Sequence, residues 1–420
     1  MSAPSAAPNA VATPRPVRPT FIAVYALAMF GIWMSIMLPA SVTLALRISQ
    51  IDPDGKTASY SIAAGIGTLV AVIANPLFGR LSDRTRSRFG RRRPWIVVGL
   101  AGTIVGAAII GLSSSFPLLL LGWVIMQAFV NAAIAAVLGI VPDRVPENQQ
   151  GLVGALSGTA SSAALLVGVL FVQWFPENVL AQFGLPVMIA VLFAVVLMAM
   201  FREDAPAPSD IAPFSLKEFF GSFYIDPRRS PDFAKLLVAL FLMSCGTGVI
   251  ATYAVYLLQD QILPPDSELP DLITLSFVIP GAIAFITAPL AGMVNDRFGR
   301  RKPVLGMAAL LIVTGLLVLA FATTVPMFLV GLSLVAGIGT GFVYGSYIGF
   351  AVATMNDPNT AARDLGVTNI AITLPYSIMP FIAPLLLGIG GGTNYPALLI
   401  FSALLTLLGI APMLLIRSTR

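Results

Sequence analysis

Seven arginines and one aspartate stand in the stretch GRLSDRTRSRFGRRRP, Gly79 to Pro94, of a chain that is only 10% charged. A shorter copy, GMVNDRFGRRKP, runs from Gly292 to Pro303. Gly79 matches Gly292 and Asp83 matches Asp296, each pair 213 residues apart. After four extra residues in the first copy, Gly90, Arg91 and Arg92 match Gly299, Arg300 and Arg301. An aspartate near guanidinium groups accepts charge-assisted hydrogen bonds, and at a helix end it also sits well against the positive end of a neighbouring helix. That is the chemistry of a contact that can be made and broken, not of bond making. The usual groups for metal or acid–base catalysis are scarce, with no histidine and a single cysteine, Cys245, which can form no intrachain disulfide. Neither an enzyme nor a bound cofactor is expected.

The elements that position these loops are apolar. The 420 residues are 57% hydrophobic, and mean hydropathy is +0.90. Runs of about 20 apolar residues, the length that spans a hydrocarbon layer as a helix, recur along nearly the whole chain. The short alternating segments of a membrane barrel are missing. Twelve spans are predicted, at 20–46, 58–78, 94–113, 117–140, 150–173, 184–201, 234–258, 272–292, 303–322, 325–348, 365–388 and 396–416. The fold class is thus an all-α membrane protein, and an even number of spans puts both termini on one side. That side holds 22 of the 24 basic residues, leaving Arg47 and Lys56 opposite, where Asp52, Asp54, Glu177, Asp260, Asp266, Glu268 and Asp271 gather. By the positive-inside rule the termini and the arginine loop are cytoplasmic. The same bias accounts for the net charge of +5 without nucleic acid as a partner. The Ala- and Pro-rich start reads as a disordered tail, 1–19, and lacks the pattern of a cleavable signal, so the first span is retained.

Copies at half the chain length mean two six-helix halves of like orientation, 20–201 and 234–416, joined by a cytoplasmic connector, 202–233, and followed by a tail, 417–420. The connector's FSLKEFFGSF reads as an interfacial helix or a linker. A weaker repeat pairs DRVPENQQG, from Asp143, with DPNTAARDLG, from Asp357. The doubled Gly-x-x-x-Asp-Arg…Gly-Arg-Arg pattern resembles the cytoplasmic signature loop of the major facilitator superfamily, and the resemblance covers essentially the whole chain. SDRTRSRFGRRRPWI looks most like the sucrose and glycoside symporter branches. The resemblance implies that Asp83 and Asp296 latch the cytoplasmic side shut in an outward-open state, with Arg84, Arg91, Arg297 and Arg300 as partners. Arg92, Arg301, Gly90 and Gly299 complete the loops, and Asp143 and Arg363 belong to the same gating set. Gly79 and Gly292 would allow close helix approach. Arg86, Arg88 and Arg93 either share this work or only set orientation.

Every charged residue falls in a loop or at a span edge, so no intramembrane group marks an ion or proton path. This departs from glycoside symporters, which commonly place acids in early helices, and it leaves a coupling proton open. Asp143 is the acid nearest such a path, and Arg47 either lies at the interface or leans into the cavity. The resemblance implies that the first, fourth, seventh and tenth helices line the central cavity. Their neutral polar and aromatic residues are Trp33 and Ser35, Gln127 and Asn131, Tyr253 and Tyr256, and Tyr344 and Tyr347; Asn369, Thr373 and Tyr376 form a further face on the eleventh span. Rings beside amides and phenols suit an uncharged, hydroxyl-rich or amphiphilic solute. Each is equally at home in an interfacial belt or as a link between helices. Pro375, Pro380 and Pro384 should kink their span.

The resulting expectation is a monomeric transporter in the plasma membrane, in contact with lipid, moving a small neutral solute, sugar or glycoside first, by alternating access. The alternative is a drug or metabolite exporter of the same superfamily, although the fifth span lacks the Gly-Pro signature of drug–proton antiporters. A receptor or enzyme on this scaffold is the remaining rival.

Overall fold

A computed structural model describes residues 17–201, 227–228, 230–263, 268–298, 301–355, 361–390 and 393–417. Among them, twelve helices are long and apolar enough to cross a membrane: α1 Pro19–Ile51, α2 Lys56–Arg84, α3 Arg93–Leu112, α4 Phe116–Arg144, α5 Leu152–Trp174, α6 Val179–Met200, α7 Pro231–Ile262, α8 Leu269–Asn295, α9 Arg301–Ala320, α10 Val325–Thr354, α11 Asp364–Leu387 and α12 Tyr395–Leu414. The expected fold class holds. The connector with its FSLKEFFGSF stretch, the first 16 residues, and Gly299 and Arg300 lie outside the described residues, as do the side chains of Asp296 and Arg363. The side holding Val17 and Arg417 is called the terminal side below, and the opposite one the far side.

Leu112, Leu192, Phe285 and Leu385 are each more than half exposed on the outer surface, an arrangement that only a hydrocarbon surround makes favourable. Inside each half, glycines bring helices together where lipid supplies no hydrophobic drive. A Cβ on Gly99 or Gly106 of α3 would come within 2.7 or 2.6 Å of the α4 backbone at Ala133 or Met126. In the second half, Gly341 and Gly345 of α10 press on Thr287 and Ala288 of α8. These are not the glycines the signature loop suggested. At Gly79 the nearest neighbour to a Cβ is Ala135 at 3.8 Å, and at Gly292 it is the Gly345 carbonyl at 3.6 Å, so in this state both sites have room for a methyl group.

The halves meet where α2 packs on α11 and α5 on α8. Three helices carry π turns, at Pro39–Thr43, Leu258–Ile262 and Ser333–Gly339. Pro39 cannot donate to the ladder, which favours a local change of hydrogen-bond register in α1. Prolines also break α11: it runs as Ala361–Thr373 and Pro375–Leu387 with Leu374 between. Several helices outrun their apolar stretch. α2 continues to Arg84, so Gly79, Asp83 and Arg84 sit on its final turns and not in the loop proper.

Candidate functional site

On the terminal side, the first signature loop folds around Arg92. Gly90 takes φ 94°, a left-handed conformation open to glycine, and beyond that turn Arg91 and Arg92 both reach Asp143 while Arg93 runs to the end of α6. The Arg92 side chain is only 5% exposed, and its Nη2 lies 2.6 Å from an Asp83 oxygen while its Nε donates to Asp143 at 2.9 Å. Its Nη1 donates to Ser82 Oγ at 3.1 Å. It lies flat on α4 because residue 139 is glycine, where any Cβ would overlap the guanidinium. Burial works against the charge on Arg92, but Asp143 and then Asp83 outweigh it and hold its pKa above the ordinary arginine value.

Arg91 reaches Asp143 as well, through Nε at 3.2 Å and through Nη2. Arg93 donates to the carbonyls of Met198 (2.5 Å) and Phe201 and lies over the Phe201 ring, tying the loop to the end of α6. The resemblance assigns Arg84 and Arg91 to Asp83 in an outward-open state, and the structure shows one arrangement of this loop. Asp83 bonds Arg92, Arg91 serves Asp143, and Arg93 has a structural contact beyond setting orientation. The Arg92–Asp83, Arg92–Asp143 and Arg91–Asp143 links lie within the first half. In the second copy, Arg301 lies against Gly349 of α10, its Nε 3.8 Å from where a Cβ would be, echoing Arg92 on Gly139. Arg297 is exposed.

The far side is where bonds cross between halves. Lys56 Nζ sits 2.5 Å from Asp260 Oδ1, and the other oxygen of Asp260 accepts from Tyr395 at 2.7 Å. Tyr256, fully buried, donates to the Ala45 carbonyl at 3.0 Å and packs edge-on against Tyr60 with ring centres 5.3 Å apart. Tyr253 and Ser61 share a hydrogen bond of 2.5 Å. Gln173 donates to Asp271 at 2.7 Å. Deeper in the membrane, Phe381 fills the space beside Gly65, and Leu166 the space beside Gly281. Tyr253 and Tyr256, singled out as cavity residues, are thus part of a seal in this state. Lys56, Asp260 and Tyr395 were missed; the signal available was a lysine isolated among seven outward acids.

Of the remaining cavity residues, Tyr344 and Tyr376 come together with Ser244, Thr247 and Thr340 around a small cleft between α7, α10 and α11. Tyr376 donates to Thr247 Oγ1 at 3.3 Å. Tyr347 stands edge-on to Tyr344 at 5.8 Å. Gln127 and Asn131 are buried, and Asn131 is spent on helix contacts, donating to the Gln127 carbonyl at 2.9 Å and accepting from Asn75 at 3.3 Å. Trp33 is partly buried against the core. Asn369 is exposed, with Thr373 donating to its carbonyl at 2.9 Å. Among the described residues, no group of three or more carboxylate or thiol side chains could hold a metal ion.

The Major Facilitator Superfamily model matches residues 21–263 and 236–420. The multidrug resistance protein MdtG of Klebsiella pneumoniae is 27% identical over 317 residues, covering 70% of this chain and 69% of that protein. The proton-associated sugar transporter A of Homo sapiens is 33% identical over 82 residues, covering 20% of this chain and 11% of that one. Among solved structures, the nucleoside transporter NupG superposes with a TM-score of 0.74 at 12% identity, covering 94% of this chain and 99% of that one. A bacterial homolog of the lysosomal transporter Spinster, solved in an inward-facing and unoccupied conformation, gives 0.69 at 12% identity, covering 95% and 96%. With twelve spans in two halves and the family model matching nearly the whole length, the chain belongs to the major facilitator superfamily.

Proposed function

We propose that the protein carries a small, neutral, hydroxyl-bearing organic solute across the plasma membrane by alternating access, with sugars and glycosides as the class that fits first. The observation that carries this reading is the cleft of about 10 Å³ lined by Tyr344, Tyr376, Ser244, Thr247 and Thr340, which bears phenol and hydroxyl groups and no charge and, with room for about one water in this state, has to widen as a solute enters. Such groups bind the polar edges of a solute while the rings cover its apolar faces. The terminal side is taken as cytoplasmic from the distribution of basic residues. On that orientation the Lys56–Asp260 and Tyr256–Ala45 bonds close the outer side, and the state is inward-facing. Parting of the outer seal and closure at the cytoplasmic rim would then expose the cleft to the other side. The first-half cluster of Asp83, Asp143, Arg91 and Arg92 is proposed as the preassembled half of that inner latch.

A second reading, export of amphiphilic drugs or metabolites, is favoured by the likeness to MdtG over 70% of the chain. A thermal-stabilisation screen of the purified protein against sugars, nucleosides and antibiotics separates the two. Counterflow of the stabilising compound in vesicles, with and without an uncoupler, then tests transport. The first reading expects saturable stabilisation by a neutral polyol or glycoside and counterflow that survives the uncoupler. Stabilisation by cationic antibiotics alone would overturn it.

A further inference from the structure

A second cavity, of about 250 Å³, lies on the far side between the halves, away from the Tyr344–Tyr376 cleft. Arg47 and Gln50 at the end of α1 and Gln182 on α6 line it from the first half, and Gln259 and Ile273 from the second. Arg47 donates to Gln50 Oε1 at 3.0 Å and to the Ser113 carbonyl at 2.5 Å, both neutral acceptors. No carboxylate among the described residues pairs with it, although acids crowd this side of the protein, and its Nε is buried with no acceptor. Gln259 Oε1 is likewise buried without a partner. A half-buried guanidinium that lines the cavity and is held by two neutral acceptors is a positive charge that no described carboxylate offsets. Its planar fork suits a carboxylate. Val172 and Ile273, both buried, supply an apolar wall for the body of such a ligand.

We infer that this outer cavity binds a small organic carboxylate, whose charge meets Arg47 and whose body lies between the two halves. Its size admits about eight waters, or one short-chain or single-ring acid. Because α1, α5 and α6 supply one wall and α7 and α8 the other, the site is whole only while the outer seal is shut. A ligand there selects that state and by linkage holds it, without competing for the Tyr344–Tyr376 cleft. The hold on the transport cycle rests on the proposed alternating access; binding itself does not.

Sodium benzoate is the probe, titrated into the purified full-length protein by calorimetry, with phosphate and chloride at matched ionic strength. Saturable benzoate binding is expected, weakened about tenfold or more in Arg47→Gln and in Gln259→Glu, which supplies the cavity with a carboxylate of its own. Arg47 also ties α1 to the Ser113 turn, so if Arg47→Gln fails to fold, Gln259→Glu, whose wild-type carbonyl has no bond to lose, decides the matter. Benzoate should also draw spin labels at Asp54→Cys and Glu268→Cys into their short-distance population. Equal affinity in wild type and Gln259→Glu, phosphate binding as tightly as benzoate, or no saturation would each overturn the inference, and none of these bears on counterflow of a neutral solute.

Discussion

Replacing Asp260 by asparagine should loosen the outer seal by a predictable amount. Asp260 makes two contacts, but Tyr395 belongs to its own half and stays with it when the halves part, so only the 2.5 Å contact to Lys56 discriminates between states. The two side chains are 22% and 18% exposed, between a surface pair worth about 0–1 kcal/mol and a charged hydrogen bond worth about 1.5–3 kcal/mol. Both groups rehydrate on opening, so the net contribution is about 1 kcal/mol, or about fivefold in the ratio of closed to open outer side. Spin labels at Asp54→Cys and Glu268→Cys, with the lone native cysteine, Cys245, buried, read that ratio as a distance distribution. Asp260→Asn should shift it about fivefold towards long distances, Lys56→Gln, which also gives up the ammonium's place over the Tyr256 ring, at least as far, and the double variant no further than Lys56→Gln. Additive shifts, or no shift in either variant, would refute the assignment of this pair as a gate.

Asp143→Asn should lower stability by about 1–3 kcal/mol in a thermal or denaturant assay, since it takes one of two carboxylates from the buried Arg92 and also the carboxylate that Arg91 reaches, whereas Asp83→Asn, whose side chain is 56% exposed, should cost under about 1 kcal/mol yet still slow transport. As Arg92 is held above the ordinary arginine pKa, its contribution is complete at all lower pH values and is lost only in strong alkali, so the stability difference for Asp143→Asn should not change through titration of Arg92 around neutrality. Gly139→Ala should displace the Arg92 guanidinium and destabilise by about 1–3 kcal/mol, while Gly79→Ala and Gly292→Ala, with 3.8 and 3.6 Å of clearance, should leave the melting temperature nearly unchanged. Tyr376→Phe should weaken binding of the cognate solute by about 0.5–1.5 kcal/mol, measured by calorimetry, with folding intact.

Spans, repeat and loop chemistry were legible because each leaves a local mark: apolar length for a crossing helix, a 213-residue recurrence for the halves, and charge in an apolar chain for the loop. The proline break in α11 was legible for the same reason. Pairing was not. Whether Asp83 meets Arg84, Arg91 or Arg92 depends on the reversal at Gly90 and on the bare surface at Gly139, two positions 49 residues apart. Tyr253 and Tyr256 read as cavity residues because an i, i+3 pair of tyrosines looks alike whether it faces a solute or the opposing half. Their place in the far-side seal, against Ser61 and Ala45, is a property of one conformational state. The tight glycine contacts fell at Gly99, Gly106, Gly341 and Gly345 and not in the signature loops, since close approach is set by where helix axes cross.

The central claim is that the two halves rock as bodies, so that opening on one side accompanies closure on the other. Paired distance measurements in one membrane preparation test it most directly, with outer labels at Asp54→Cys and Glu268→Cys and inner labels at Arg88→Cys and Arg297→Cys. Without solute, the outer pair should be short and the inner pair long. Addition of the transported solute should redistribute both pairs in opposite senses. Distances that lengthen together, or an inner pair that stays fixed while the outer pair opens, would contradict the account.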